Sequence, residues 1–199
     1  GDNCSCLYSN NKIIFVGDNL SILKTIPSKS IDCCLTSPPY WGQRNYENGG
    51  IGQESSPKEF INNILYVTKE LKRILKDTGS FWLNLGDTYK NKALQAIPWR
   101  IAIKMIDEQG WILRNDIVWN KLKGAMDSSS DKLRNIHEMI FHFVKNKDYY
   151  YDDMAIRQNP QTTIVRNGAI ISSSGVSGVR YKRQIEMSTA LTPIEKENA

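Results

Sequence analysis

Apolar positions along this chain follow two rhythms, one of strands and one of helices. Lys12-Ile13-Ile14-Phe15-Val16 is a short apolar run halted by Gly17-Asp18 and predicts a buried strand; Leu20, Ile22 and Leu23 behind it predict a short helix. Ile31-Asp32-Cys33-Cys34-Leu35-Thr36 predicts a second strand that runs directly into Ser37-Pro38-Pro39, where two prolines remove two backbone donors and hold the chain extended. Ser56-Pro57 with Glu59 supplies a cap, a first-turn proline and an early acid, and Phe60, Ile61, Ile64, Val67, Leu71, Ile74 and Leu75 then recur at helical spacing. That helix is expected to stop at Asp77-Thr78-Gly79, with a strand over Ser80–Leu85 closed by Gly86-Asp87. A helix from Pro98 to Gln109 stopped by Gly110, a strand over Trp111–Trp119 and a last strand over His137–Val144 complete the pattern. Strands alternating with helices predict a three-layer α/β domain with a mostly parallel sheet.

From about residue 152 the periodicity is lost. Pro160, Ser172-Ser173-Ser174-Gly175 and Arg180-Tyr181-Lys182-Arg183 take its place, so the chain reads as a leader over 1–11, a folded portion over 12–152 and a loop-rich insert or tail over 153–199. No internal repeat is visible. Among the 199 residues Lys and Arg outnumber Asp and Glu by 26 to 21, a mild excess that favours an anionic partner without identifying one. The four cysteines, Cys4-x-Cys6 and Cys33-Cys34, lack the spacing at which one zinc ion takes two thiolates from a turn, so no metal is expected and the thiols read as structural and reduced. His137 and His142, five apart on one strand, face opposite ways and cannot share a metal. No apolar run is long enough to span a membrane and no signal-peptide core opens the chain, which points to a cytoplasmic protein.

Ligands of open α/β sheets sit at the carboxyl ends of the strands. Three polar-tipped ends are expected on one rim: Gly17-Asp18, Ser37-Pro38-Pro39-Tyr40 and Gly86-Asp87. An exocyclic base amine is a poor nucleophile, its lone pair being delocalised into the ring. Groups that accept hydrogen bonds from its protons draw the nitrogen toward a tetrahedral geometry, and Ser37 with the Pro38 carbonyl is such a pair. Tyr40 offers a face on which an extruded base stacks. Taken as a bare tetrapeptide, Ser-Pro-Pro-Tyr is no more than a turn; its place at the end of an apolar strand is what raises it above one.

On these residues the chain resembles the DNA amino-methyltransferases in their permuted, catalytic-half-first arrangement, the beta class. The resemblance runs through Gly17-Asp18-Asn19-Leu20, Thr36–Trp41, Gly52-Gln53-Glu54, Lys72–Gly79, Trp82–Tyr89, Ile97-Pro98-Trp99-Arg100 and Asp116–Lys121, in the family's order. It implies a Rossmann-like class I methyltransferase sheet and a restriction-modification type of activity: transfer of methyl from S-adenosyl-L-methionine to the exocyclic amine of a flipped base in double-stranded DNA. It also implies roles. Ser37, Pro38, Pro39 and Tyr40 would form the catalytic loop; Asp18, Ser37 and Pro38 would meet the cofactor; Tyr40, Trp41, Trp119 and Asn120 would line the base pocket. For Asp18 and Asp87 a helix cap is an equally simple role, and for Trp119 so is plain packing. A serine rather than an aspartate at the head of the loop goes, in the family pattern, with cytosine N4; adenine N6 remains the alternative.

The chain lacks the family's Asp-Pro-Phe-x-Gly-x-Gly-like turn, which cradles the methionine end of the cofactor, and with it the strands that belong between the Gly17 and Ser37 strands. The expectation is therefore an incomplete sheet, inactive alone, with its missing C-terminal half in cis or in a second chain and a homodimer compatible with either. Residues 153–199 would begin the target-recognition region, with Arg166, Arg180, Lys182 and Arg183 on DNA phosphates and Tyr181 stacking or packing. A nucleic-acid-binding remnant without catalysis is the alternative from another class; it predicts a dispensable Ser37 loop and binding that falls with salt.

Overall fold

The computed structural model describes residues 5–9, 12–43, 50–122, 129–156, 164–166, 169–171, 185, 188 and 191–197. The chain divides into two compact units, residues 1–150 and 151–199. The first begins with β1 (Ser5–Ser9), β2 (Lys12–Val16), α1 (Asn19–Thr25), β3 (Ile31–Thr36), α2 (Pro57–Ile74) and β4 (Leu75–Leu85). It continues through β5 (Tyr89–Lys90), β6 (Ala93–Leu94), α3 (Ile97–Gln109), β7 (Ile112–Asn120) and β8 (His137–Val144).

The main sheet has the order β3-β4-β8-β7. β3 and β4 run parallel, joined by α2, whereas β8 is antiparallel to both of its neighbours. The sheet is thus α/β in composition but mixed, not mostly parallel in its pairings. β8 inserts between two strands that point the same way, and so replaces a parallel contact with two antiparallel ones. α2 begins as its sequence predicts: Ser56 Oγ accepts from the Glu59 N–H at 3.2 Å and Pro57 opens the first turn. It ends earlier than expected. Leu75 already pairs with Ile31, and Gly79 lies inside β4, because a Cβ there would sit 2.7 Å from the Asp32 carbonyl oxygen. The glycine serves the close passage of β3 at a register shift rather than a helix stop.

Phe60, Ile64 and Leu71 of α2 and Ile101 and Met105 of α3 pack on Phe81, Leu83, Phe141 and Phe143 from one sheet face, with Trp111 5.4 Å from the Phe81 ring. Each such side chain contributes about 1.5–3 kcal/mol by its burial. Gly110 ends α3 in the left-handed conformation, φ 64°. The other face differs from a three-layer arrangement. Leu35, which stands there beside Trp82, is 74% exposed, and Trp119 is half exposed. β3 forms one edge of the sheet, with no strand beyond it among the described residues. β2, expected to be buried, pairs among the described residues only with β1, a strand within the predicted leader, and is exposed along its whole length. An apolar strand lacking neighbours on its flank has nothing against which to bury.

In the second unit, β9 (Ile164–Arg166) and β10 (Ala169–Ile171) form an antiparallel hairpin, and α4 (Pro193–Glu197) is a short helix. Among the described residues no helix is long and apolar enough to cross a membrane.

Candidate active site

β3 delivers Ser37 to the rim of the sheet, and the prolines behind it stop the ladder because neither has an N–H to give. Among the described residues no backbone N–H bonds the Pro38 carbonyl. The loop is then pinned from two sides. The ring of Tyr40 lies across Gly86, where a Cβ would come within 2.6 Å of Tyr40 Cε2, so only glycine lets the ring lie there undisturbed. The Trp41 indole N–H donates to the Glu54 carbonyl at 2.9 Å, and the Gly42 N–H donates to the Gly52 carbonyl at 2.8 Å. The Glu54 carboxylate accepts from the Gly52 N–H at 2.8 Å and from Asn63 Nδ2 of α2 at 3.0 Å. Gly52 itself takes φ +103°, a backbone that side-chain-bearing residues rarely adopt. The Gly52-Gln53-Glu54 segment therefore clamps the loop to the helix.

The loop opens on a cleft of about 330 Å³ lined by Ser37, Pro38, Pro39, Tyr40, Gln43, Lys121 and Glu138. An adjoining cleft of about 410 Å³ shares Tyr40, Gln43, Lys121 and Glu138 and adds Gly86, Asp87, Thr88 and His137 among its walls. Glu138 is a buried acid on β8. It accepts from Asn84 Nδ2 at 3.1 Å and forms an ion pair with Lys121, and it lines the same cleft as Tyr40. Burial pushes its carboxyl upward, but the donors outweigh that and hold it below the ordinary range, so it is ionised. Tyr40 OH is also 3.2 Å from Ser37 Oγ. Burial raises the Tyr40 phenol above its ordinary value, Ser37 opposes the rise and Glu138 adds to it.

Other predicted site residues fall elsewhere. Trp41, expected at the base pocket, belongs to the hydrophobic core, because its one polar atom is already bonded to Glu54. Trp119 is half exposed on β7 and Asn120 pairs with His137; neither lines the cleft, whereas the next residue, Lys121, does. Asp18 caps α1, accepting from the Ser21 N–H at 2.8 Å, and that bond lowers its pKa and keeps it ionised. Asp87 Oδ1 accepts from the N–H groups of Thr88 and Ile97 at 2.9 and 3.1 Å, capping α3 from a distance where Ala96 offers no side-chain cap. Arg166 lies on β9; Arg180, Tyr181, Lys182 and Arg183 lie outside the described residues. His142 is buried against Trp82, ring centroids 4.0 Å apart, and burial lowers its pKa so that it stays neutral. Among the described residues no group of three or more His, Cys, Asp or Glu side chains is placed to hold a metal ion.

Glu138 was missed by sequence reasoning, and Asn84 and Lys121 entered it only as parts of matching segments. A signal for Glu138 existed: it is the acid within the apolar run Met139-Ile140-Phe141, and a buried glutamate is rarely found without a partner.

A family model described as DNA methylase matches residues 31–183. The Type II methyltransferase M.Cfr9I of Citrobacter freundii is 38% identical over 191 residues, covering 81% of this chain and 63% of the relative. M.XycI of Xanthomonas campestris pv. cyanopsidis is 36% identical over 184 residues, covering 77% of this chain and 61% of the relative. This chain thus spans a little over three fifths of the length of these relatives. Among solved structures, the PvuII DNA methyltransferase, described as cytosine-N4-specific, superposes with a TM-score of 0.63 at 24% identity over 86% of this chain and 61% of that one. A putative DNA modification methylase from Thermus thermophilus, complexed with S-adenosyl-L-methionine, does so with a TM-score of 0.54 at 22% identity, covering 70% of this chain and 58% of that one. These two likenesses concern the fold.

Proposed function

The chain belongs to the DNA methylase family whose model it matches over residues 31–183, and on that premise we propose that it carries the catalytic loop of an S-adenosyl-L-methionine-dependent DNA amino-methyltransferase acting on cytosine N4. The observation that carries the reading is the Ser37-Pro38-Pro39-Tyr40 loop, held at a strand end by Gly86 and Glu54 and opening on a cleft with a fixed carboxylate and ammonium in its wall. Ser37 Oγ and the Pro38 carbonyl accept the two protons of the exocyclic amine and so raise its nucleophilicity; the Tyr40 ring supports the flipped base.

When bound, the cofactor supplies an electrophilic methyl group. The residues present suit it. Asp18 is an ionised carboxylate with acceptor sites beyond the one given to Ser21, which fits hydroxyl or amine donors of an adenosine, and Ser37 and Pro38 follow the end of β3. Cytosine is favoured by the serine at the head of the loop, and the PvuII enzyme that shares the fold is described as cytosine-N4-specific. The uncovered β3 edge and exposed β2 support a further part of the reading. Activity requires a segment that completes the sheet and cradles the methionine end, supplied in cis or by a second chain. Arg166, Arg180, Lys182 and Arg183 are the proposed phosphate contacts to double-stranded DNA, with the reaction taking place in the cytoplasm.

The test is transfer of labelled methyl to duplex DNA by the chain alone and with its natural downstream sequence supplied, followed by nucleoside analysis. N4-methylcytosine formed only with the downstream sequence and lost in Ser37→Ala is the expected result. N6-methyladenine would overturn the choice of base; no methylated nucleoside under either condition would overturn the catalytic reading.

A further inference from the structure

We infer that the β5–β6 hairpin and the loop over residues 129–136 carry a DNA contact of their own, in which Lys90 and Lys132 hold backbone phosphates of the strand that delivers its base to the Ser37 cleft. The inference rests on the reading of that cleft as the seat of a flipped base. It adds a site in the first unit to the phosphate contacts proposed in the second.

The hairpin has a fixed shape. Tyr89 pairs with Leu94 and Lys90 with Ala93, so Asn91 and Lys92 are the central residues of a tight turn, and both take left-handed backbones, φ 51° and 64°. Asparagine tolerates that conformation; lysine seldom adopts it. What Lys92 brings to the turn is its side chain, whose Nζ lies 2.9 Å from Asp131 Oδ2 and ties the hairpin to the 129–136 loop. The loop in turn sets Lys132 over the hairpin, its Nζ 4.6 Å from the centre of the Tyr89 ring. Lys90 Nζ stands 5.1 Å from the centre of the ring of Trp41, the residue after Tyr40. Tyr89 and Lys132 both line the cleft of about 410 Å³ that Tyr40 also lines.

The lysines of this rim are not equivalent. Lys92 and Lys121 sit against carboxylates, those of Asp131 and Glu138. Lys90 and Lys132 sit over aromatic rings, and a ring positions an ammonium without cancelling its charge as a carboxylate does. The acids of the cleft wall already have donors: Lys121 and Asn84 for Glu138, the N–H groups of Thr88 and Ile97 for Asp87. The kind of ligand follows from the cations themselves. A lysine ammonium is a point charge without a planar fork, suited to a phosphate oxygen approached from any side rather than to a base edge. Extruding a base swings its nucleotide about the backbone, so the phosphates beside it arrive at the mouth of the pocket that takes the base. Cations on that rim meet them there and fix the strand without reading its sequence.

The test measures binding of a fluorescein-labelled random-sequence DNA duplex over a range of salt concentrations, in the chain with its downstream sequence supplied. Wild type is compared with Lys90→Gln, Lys132→Gln, the double variant and, as a control, Lys58→Gln, an exposed residue of α2 that lines neither cleft. Each phosphate contact contributes about 0.9 to the slope of log K against log salt. Each single variant is therefore expected to flatten the slope by about 0.9 and the double variant by about twice that, with Lys58→Gln unchanged. A wild-type slope in the double variant overturns the site. Equal flattening by Lys58→Gln overturns it too, since the charge would then act as a diffuse basic surface. Position is read separately, with neutral methylphosphonates at the phosphates flanking the methylated nucleotide. They should weaken binding by wild type but not by the double variant; equal weakening of both overturns the placement beside the target base. Methylation with unmoved slopes defeats the site alone. A duplex bound with the expected slopes but never methylated sustains the phosphate site and defeats the methyltransferase reading, and a wild-type protein that binds no duplex defeats both.

Discussion

Replacing Gly86 by alanine isolates the packing of Tyr40 from every other feature of the site. Gly86 does not hold a left-handed backbone, so alanine brings no conformational strain, only a methyl group. That methyl would lie 2.6 Å from Tyr40 Cε2 and 2.8 Å from Cδ2. Carbon atoms pack comfortably at about 3.5–4.0 Å, so the ring must retreat by about 1 Å. The Tyr40–Ser37 contact is already 3.2 Å long, and a displacement of that size carries it outside hydrogen-bond range. Overpacking of this kind costs about 1–3 kcal/mol of stability, and a misplacement of about 1 Å in a catalytic group costs up to about a hundredfold in rate. Gly86→Ala is therefore expected to lose about 1–3 kcal/mol in equilibrium denaturation and about ten- to a hundredfold in methyl transfer measured with the downstream sequence supplied. Adding Tyr40→Ala, which makes room for the methyl, should restore the stability lost to the clash but not the activity. If Gly86→Ala alone transferred methyl at the wild-type rate, the claim that the ring must rest on a bare backbone would be refuted.

Two further outcomes follow from the edges of the sheet. Burial pushes the Cys34 thiol up to about 11, so in a Cys33→Ser variant Cys34 should alkylate slowly near neutral pH and accelerate about tenfold per pH unit below that value; labelling at the rate of a free peptide thiol would contradict the packing of β3. Asp77 is held below the usual carboxylate range by Lys29 at 2.6 Å and Lys145 at 3.0 Å. A depressed folded pKa contributes stability above the unfolded value of about 3.9 and loses it as pH falls through the folded one. Denaturation across pH should show Asp77→Asn less stable than wild type at neutral pH, with the gap closing in acid; a gap independent of pH would exclude the ion pairs as its cause.

The elements whose causes lie within a few residues were legible in the sequence. Ser56, Pro57 and the apolar repeat that follows are enough to start α2, because a cap and a fixed φ act within one turn; Gly110 stops α3 for the same local reason. Pro38 and Pro39 end β3 whatever surrounds them, since a missing N–H is a property of the residue, and so the candidate loop could be found from its own sequence. Decisions that need a distant partner were not legible. Leu75 joins a strand because Ile31 is beside it, and the sheet is mixed because β8 pairs with β4 and β7 rather than lying at an edge. β2 is apolar yet exposed because apolarity calls for a neighbour without providing one. Trp41 reads as a pocket residue until Glu54 takes its N–H, and Glu138 reads as an ordinary strand residue until Asn84 and Lys121 converge on it from other elements. The chemistry that a residue carries is written in its type; which groups face it, and hence which hydrogen it can give or must accept, is set only when the strands come together.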